Sequence, residues 1–102
     1  MTIQKVLQAT GIPCVYSHFT DKDSPVTPPY IVYIGNGQDN FKADDTFYYS
    51  ENRYQLEYYF IDKDETTEKA IEETLLENGF RYTKSEDLYL ESEGVFLIYY
   101  YV

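Results

Sequence analysis

Hydrophobic positions recur along this chain with two different periods, and each period predicts a different kind of element. The first apolar residues follow Thr2, a residue type that caps helices. They are spaced to share one helical face: Ile3, Val6 and Leu7. Gly11 and Pro13 then interrupt the pattern, and both residue types end helices. Residues 2–10 are therefore predicted to form a first helix.

Short runs of aromatic and β-branched residues predict strands in the next part of the chain. Residues 30–34 form one such run between two prolines and Gly35. Residues 47–49 and 54–61 are expected to form a strand pair or one bent strand. Alternation in the second run divides its side chains between a core face with Tyr54, Leu56, Tyr58 and Phe60 and an opposite face with Arg53, Gln55, Glu57 and Tyr59. We expect that opposite face to be exposed to water or covered by a partner.

Two segments rich in turn-forming residues are predicted to be long loops. The first covers about 18–28 and contains two prolines and two aspartates. The second covers 35–46 and contains two glycines, two asparagines and three aspartates. Both loops should be mobile in a free monomer and become ordered against a neighbouring subunit or partner.

A second helix is predicted over residues 65–78. Asp62 or Asp64 can cap it, and Gly79 stands where a helix commonly ends in a positive φ. Its inward stripe should contain Ala70, Ile71, Thr74, Leu75 and Asn78. Its outer surface should carry most of Glu65, Glu68, Lys69, Glu72, Glu73 and Glu77.

The C-terminal residues predict an antiparallel hairpin. Residues 80–90 and 95–101 are the strand runs, and residues 91–94 contain the turn. The resulting order is α-β-β-α-β-β. We therefore expect one α+β domain over residues 1–102, in which two helices pack on one face of a mainly antiparallel sheet.

Composition adds two features, which are many tyrosines and a strong negative charge. Thirteen Tyr and six Phe make up 19% of the chain. Strand propensity alone explains such content, but tyrosine is also enriched at protein interfaces, and both interpretations stay open. The formal charge of -10 disfavours binding to nucleic acid or anionic lipid. The same charge also serves solubility.

Residues with catalytic or metal-binding chemistry are few. His18 is the one histidine, and no neighbouring residue completes a nucleophilic triad or a metal cluster. Cys14 lies between Pro13 and Val15, where apolar neighbours raise a thiol pKa, so we expect a small buried side chain. The sequence therefore predicts a non-enzymatic protein with no catalytic residue, no cofactor and no metal.

The compartment is predicted from three further observations. One cysteine excludes an intrachain disulfide and is compatible with a reducing cytoplasm. The first residues lack the pattern of a secretory signal peptide. The longest apolar run, 95–102, is far shorter than the roughly 20 residues of a membrane-spanning helix. We expect neither export by that route nor a membrane partner.

Several short motifs, in order along almost the whole chain, resemble small proteins encoded in tailed-phage and prophage clusters of Gram-positive bacteria. They are residues 11–13, 16–19, 28–33, 40–44, 56–59, 77–79 and 90–93. The chain resembles the tail terminator or tail completion components of these clusters. The resemblance implies a structural virion protein that forms a ring, commonly a hexamer, at the head-tail junction. It also implies contacts with the major tail protein and the head-tail connector, after assembly in the host cytoplasm.

Two groups of residues are the candidate contacts of such a ring. The candidate subunit or partner contacts are Tyr48, Tyr49, Tyr59, Tyr99, Tyr100 and Tyr101. The candidate acids facing the lumen, through which DNA passes, are Asp39, Asp44 and Asp45, with Glu68, Glu72 and Glu73 as substitutes. The alternative hypothesis is an acidic inhibitor or DNA mimic whose phosphate-like stripe is Glu65, Glu68, Glu72, Glu73 and Glu77.

Overall fold

The computed structural model describes residues 2–16, 27–43 and 47–102. Within residues 38–43 and 47–52 it describes the backbone alone. The expected loop at 18–28 therefore lies almost wholly outside the described residues, and so does His18. In the described part of the chain, no helix has the length and hydropathy required to cross a membrane.

Both predicted helices are present and begin at capping residues. Helix α1 spans Ile3–Gln8, and the Thr2 hydroxyl accepts a hydrogen bond from the Lys5 amide. Helix α2 spans Glu65–Glu77, and Asp64 caps it by accepting hydrogen bonds from the amides of Thr66 and Thr67. Gly79 follows the C-cap residue Asn78 with a φ of 83°, a conformation that glycine adopts without steric cost.

Six strands form one sheet. They are β1 Cys14–Tyr16, β2 Tyr30–Ala43, β3 Phe47–Phe60, β4 Thr83–Lys84, β5 Leu88–Leu90 and β6 Val95–Tyr101. The order across the sheet is β1-β2-β3-β6-β4, and β5 also pairs with β6. Every pairing is antiparallel except that of β1 with β2, which is parallel. The α+β architecture predicted from the sequence is confirmed.

One face of this sheet carries the core. The alternation predicted for β3 is confirmed, because Leu56, Tyr58 and Phe60 are each at most 2% exposed and belong to the core cluster. Helix α1 contributes Val6 and Leu7 to the same cluster, and α2 contributes other fully buried side chains. Both helices thus pack on one face, and within residues 2–16, 27–43 and 47–102 no helix lies over the other face of the sheet.

The predicted loop at 35–46 is wrong for residues 35–43, which continue strand β2 in an antiparallel pairing with β3. The ladder uses backbone groups, which polar residues supply as well as apolar ones do. The register is irregular between Gly35 and Gln38, where Gly37 adopts a φ of 81°. A bulge of this kind lets turn-forming residues remain within a strand. Residues 44–46 lie outside the described part of the chain.

Two further elements differ from the prediction. Strand β1 was missed because it has three residues, and its parallel partner β2 follows it only after a long connection. The inward stripe of α2 is also shifted, because Ala70 and Asn78 are exposed whereas Glu68 is 2% exposed. Glu68 lies three residues before Ile71 and seven before Leu75, on the face that packs against the sheet.

Candidate interaction surface

The face of the sheet opposite the helices is lined by tyrosines and aliphatic residues. We call it the aromatic face. Its members on the described strands include Tyr30, Val32, Ile34, Arg53, Gln55, Glu57, Tyr59, Leu88, Leu90, Val95, Leu97, Tyr99 and Tyr101. No helix or strand of the described residues lies over it, and the buried cluster that includes both helices contains none of its residues.

Aliphatic side chains of the aromatic face are shielded by their neighbours on the same face. Leu97 is 3% exposed although neither α1 nor α2 covers it. Its register partners are Tyr59 on β3 and Leu88 on β5, and both of these are half-buried. Large rings beside small aliphatic groups therefore form a continuous surface of apolar carbon that is edged by phenol hydroxyls.

The tyrosines of the aromatic face form two stacked pairs. The rings of Tyr30 and Tyr59 are stacked with centroids 4.9 Å apart, and those of Tyr99 and Tyr101 with centroids 5.9 Å apart. Tyr101 is the more exposed member of its pair, at 37%. Stacking restricts the rotamers of these rings, so a partner that packs on them loses little conformational entropy in the contact.

A single carboxylate lies at the centre of the aromatic face and is held by its neighbours. The Tyr59 hydroxyl donates to Glu57 Oε1 at 2.6 Å, and Gln55 Nε2 donates to Glu57 Oε2 at 3.2 Å. Burial and the hydrogen bond to Glu57 raise the pKa of Tyr59. Burial and the charge of Glu57 raise the pKa of Tyr99. Both phenols are therefore neutral hydrogen-bonding groups at physiological pH.

Charge is divided unevenly between the two sides of the molecule. Among the named members of the aromatic face, the charged residues are Arg53 and Glu57. By contrast, residues 62–87, which contain α2 and β4, include nine acidic and four basic residues. A like-charged molecule therefore meets less repulsion on the named members of the aromatic face than on residues 62–87.

The six tyrosines predicted as contacts do not lie together. Tyr59, Tyr99 and Tyr101 lie on the aromatic face. Tyr100 was wrongly assigned to a surface, because it is 0% exposed and belongs to the core. Its place follows from alternation along β6, which directs residues 99 and 100 to opposite faces. The side chains of Tyr48 and Tyr49 lie outside the described residues.

A cluster of ion pairs lies on the helical side of the sheet, around the buried Glu68. Lys84 Nζ lies 2.8 Å from Glu68 Oε1 and 2.8 Å from Glu72 Oε2. Lys63 Nζ lies 2.8 Å from Glu68 Oε2 and 2.9 Å from Asp87 Oδ2. Glu68 Oε2 accepts no well-aligned hydrogen bond despite this short contact. The two ammonium groups offset the charge of a carboxylate that would otherwise be expensive to bury.

Tyrosine hydroxyls extend the cluster into the core. The Tyr100 hydroxyl donates to Glu72 Oε2 at 2.7 Å, and the Tyr82 hydroxyl donates to Glu72 Oε1 at 3.2 Å. Burial opposes ionisation of Glu72, but Lys84 and these hydroxyls outweigh it and hold the pKa of the carboxyl below its usual range. The pKa of Lys84 is raised by its two carboxylate partners against the opposing effect of burial. Glu72 and Lys84 are thus both charged at neutral pH.

The sequence interpretation missed this cluster. Glu68 and Glu72 were placed on the outer surface of α2, where they served as candidate lumen acids or as part of a DNA-mimic stripe. The helical spacing of Glu68 with Ile71 and Leu75 was the available signal for its burial. Lys84 carries no such signal, because it lies sixteen residues further along the chain than Glu68.

Among the other predicted site residues, the structure describes Cys14 and the backbone of Asp39. Cys14 is half-buried against the core, and burial raises the pKa of its thiol, as expected. Asp39 belongs to β2, where only its backbone is described, and Asp44 and Asp45 lie outside the described residues. Among the residues that the structure describes, no three His, Cys, Asp or Glu side chains form a group that could hold a metal ion.

No family model, curated protein or solved structure matches this chain.

Proposed function

We propose that this chain is a non-enzymatic structural subunit of a phage or prophage tail, a tail terminator or completion component. Copies assemble into a ring at the head-tail junction of the virion after synthesis in the host cytoplasm. The ring contacts the major tail protein on one side and the head-tail connector on the other. The observation that carries the proposal is the aromatic face, a tyrosine-rich sheet surface over which none of the described helices lies.

Charge favours a second copy of the chain as the occupant of this face. Each copy carries a formal charge of -10, so two copies repel each other wherever their acidic surfaces approach. The named members of the aromatic face include one acid, Glu57, and one base, Arg53. Apolar burial there is therefore opposed by little electrostatic repulsion. In a closed ring the contact is heterologous, and the aromatic face of one copy meets a different surface of the next.

The acidic surfaces have a role in the same ring. DNA has to pass through the lumen without adhering to it, and a lumen rich in lysine or arginine would bind phosphates through counterion release. Asp39, Asp44 and Asp45 are the proposed lumen acids. Of the helix acids, Glu73 remains a substitute because it is exposed, whereas Glu68 is buried and Glu72 is paired with Lys84.

A matched pair of tyrosine variants tests the proposed contact. Tyr101 is on the aromatic face, while Tyr89 is on the other side of the sheet and is more exposed, at 54%. Light scattering on size-exclusion fractions across protein concentrations should show rings for the wild type. Tyr101→Glu should shift the protein towards monomers because it places a charge in the contact, and Tyr89→Glu should not. A wild-type protein that stays monomeric contradicts ring assembly, and equal masses for both variants contradict the choice of face.

The alternative function, an acidic inhibitor or DNA mimic, depends on a stripe of carboxylates along α2. Three of its five members are exposed, namely Glu65, Glu73 and Glu77. The other two, Glu68 and Glu72, are engaged with lysines. Binding to a basic protein that weakens steeply with salt, without formation of rings, would favour this function over assembly.

A further inference from the structure

Residues 83–90 cover the outer edge of strand β6, and we call them the edge strap. Strand β4 pairs with the C-terminal part of β6, and β5 pairs with its N-terminal part. Between them, the Ser85 amide donates to the Tyr99 carbonyl at 2.9 Å, and the Tyr99 amide donates to Ser85 Oγ at 2.8 Å. Without the edge strap, β6 would be an edge strand with unpaired backbone groups.

The side chains of the edge strap bury less apolar surface than those of the strand beneath it. None of its residues is buried, and only Ser85, Leu88 and Leu90 are half-buried. The strand beneath it is the opposite case, because Leu97, Ile98 and Tyr100 are each at most 3% exposed. A segment with few buried contacts opens at a lower free energy than the element that it covers.

The remaining attachments of the edge strap are a ring contact between Tyr89 and Phe96, with centroids 4.9 Å apart, and a set of ion pairs. Lys84 connects it to Glu68 and Glu72 on α2, at 2.8 Å in each case. Asp87 connects it to Lys63, which precedes α2, at 2.9 Å. Lys63 and Asp87 are both about 40% exposed, which places their contact within reach of screening by salt.

We propose that the edge strap is a cover held by ion pairs that opens and closes over β6 while the rest of the domain stays folded. Its opening frees the backbone groups of Tyr99, so that β6 becomes an edge on which another strand can add. High ionic strength, or loss of Lys84 or Asp87, shifts the equilibrium towards the open state. This inference does not depend on the proposed function, because it concerns a motion within one copy of the chain.

The backbone amides of Tyr99 and Val102 report separately on the two edges of strand β6. The Tyr99 amide bonds to the edge strap, whereas the Val102 amide bonds to the Tyr54 carbonyl of β3 at 2.9 Å. Hydrogen exchange can be followed residue by residue by NMR at one protein concentration. Raising sodium chloride from about 50 mM to about 1 M shortens the screening length roughly fourfold to fivefold. We expect exchange at Tyr99 to accelerate several-fold, with exchange at Val102 unchanged.

Substitutions give the same comparison at constant salt. Lys84→Gln should accelerate exchange at Tyr99 about tenfold or more. Asp87→Asn, which removes only the more exposed contact, should accelerate it about twofold to fivefold, as is typical of exposed pairs. Glu86→Gln is the matched control, because Glu86 is an exposed acid next to Asp87. Exchange at Tyr99 that is insensitive to salt and to both variants overturns the proposal. Equal acceleration at Tyr99 and Val102 also overturns it, because the opening would then be global.

Discussion

Replacement of Tyr100 by Phe removes one buried hydroxyl and leaves the packing of the ring intact. The side chain is 0% exposed, and its hydroxyl donates to the Glu72 carboxylate at 2.7 Å. A hydrogen bond to a charged group contributes about 1.5–3 kcal/mol to the free energy of unfolding. Glu72 keeps Lys84 Nζ at 2.8 Å, so its charge is not left unpaired. We therefore expect a loss of about 1.5–2 kcal/mol, in the lower part of this range.

Urea and thermal unfolding followed by circular dichroism measure this loss. A decrease of that size should lower the melting temperature by roughly 6–16 °C in a domain of about 100 residues. Tyr82→Phe is the matched control, because the Tyr82 hydroxyl bonds to the other oxygen of the same carboxylate at a longer 3.2 Å and its side chain is half-buried. Its loss should be below about 1 kcal/mol.

The effect of Tyr100→Phe should also depend on pH. Because the pKa of Glu72 is lowered in the folded state, its interactions stabilise the protein fully above its ordinary value of 4.5. They are lost as the pH falls through the lower folded value. The difference between wild type and Tyr100→Phe should therefore be constant near neutral pH and shrink in acid. Equal stability of the two proteins at neutral pH, or a difference that grows in acid, would refute this account of the cluster.

Three further predictions follow from the core, the carboxylates and the ring. Leu75→Asp should abolish cooperative unfolding, because Leu75 is 0% exposed and burial of an unpaired charge there lowers the free energy of unfolding by several kcal/mol. An unchanged melting temperature would contradict the packing of α2 on the sheet. The free energy of unfolding of the wild type, measured by urea titration at a series of acidic pH values, should fall as acid protonates Glu72 and Asp64, because the pKa values of both carboxyls are lowered in the folded state. A free energy that stays constant through this protonation would contradict the interactions assigned to the two carboxylates. Changing Asp39, Asp44 and Asp45 together to Lys should slow DNA ejection from assembled particles, and normal ejection with lysines in the lumen would exclude the proposed role of these acids.

Local patterns in the sequence were sufficient for much of the fold. The alternation of Leu56, Tyr58 and Phe60 identified the core face of β3, because strand geometry sends every second residue to the same side. The caps of both helices were visible because a capping side chain acts on amides two or three residues away. Such signals connect residues that are close in the chain, so no knowledge of tertiary contacts is required to find them.

Features that depend on distant residues were not visible in this way. The composition of residues 35–43 indicated a loop, but their backbone groups pair with β3 along a ladder whose partners are set by the hairpin. In the sequence, Glu68 resembles a solvated helix acid. Its burial depends on Lys63 and Lys84, which come from two other parts of the chain and lie beside it in the fold. Tyr100 resembled its neighbours Tyr99 and Tyr101, and only the position of the helices decides which of the three is buried.

We propose that copies of this chain assemble into a closed ring. Native mass spectrometry of the purified wild-type protein over a range of concentrations measures the number of 12.1 kDa subunits directly. If the chain forms a closed ring, one dominant complex of fixed stoichiometry should grow at the expense of monomer as the protein concentration rises. Monomer alone at every concentration, or an open series of complexes without a preferred size, would contradict it.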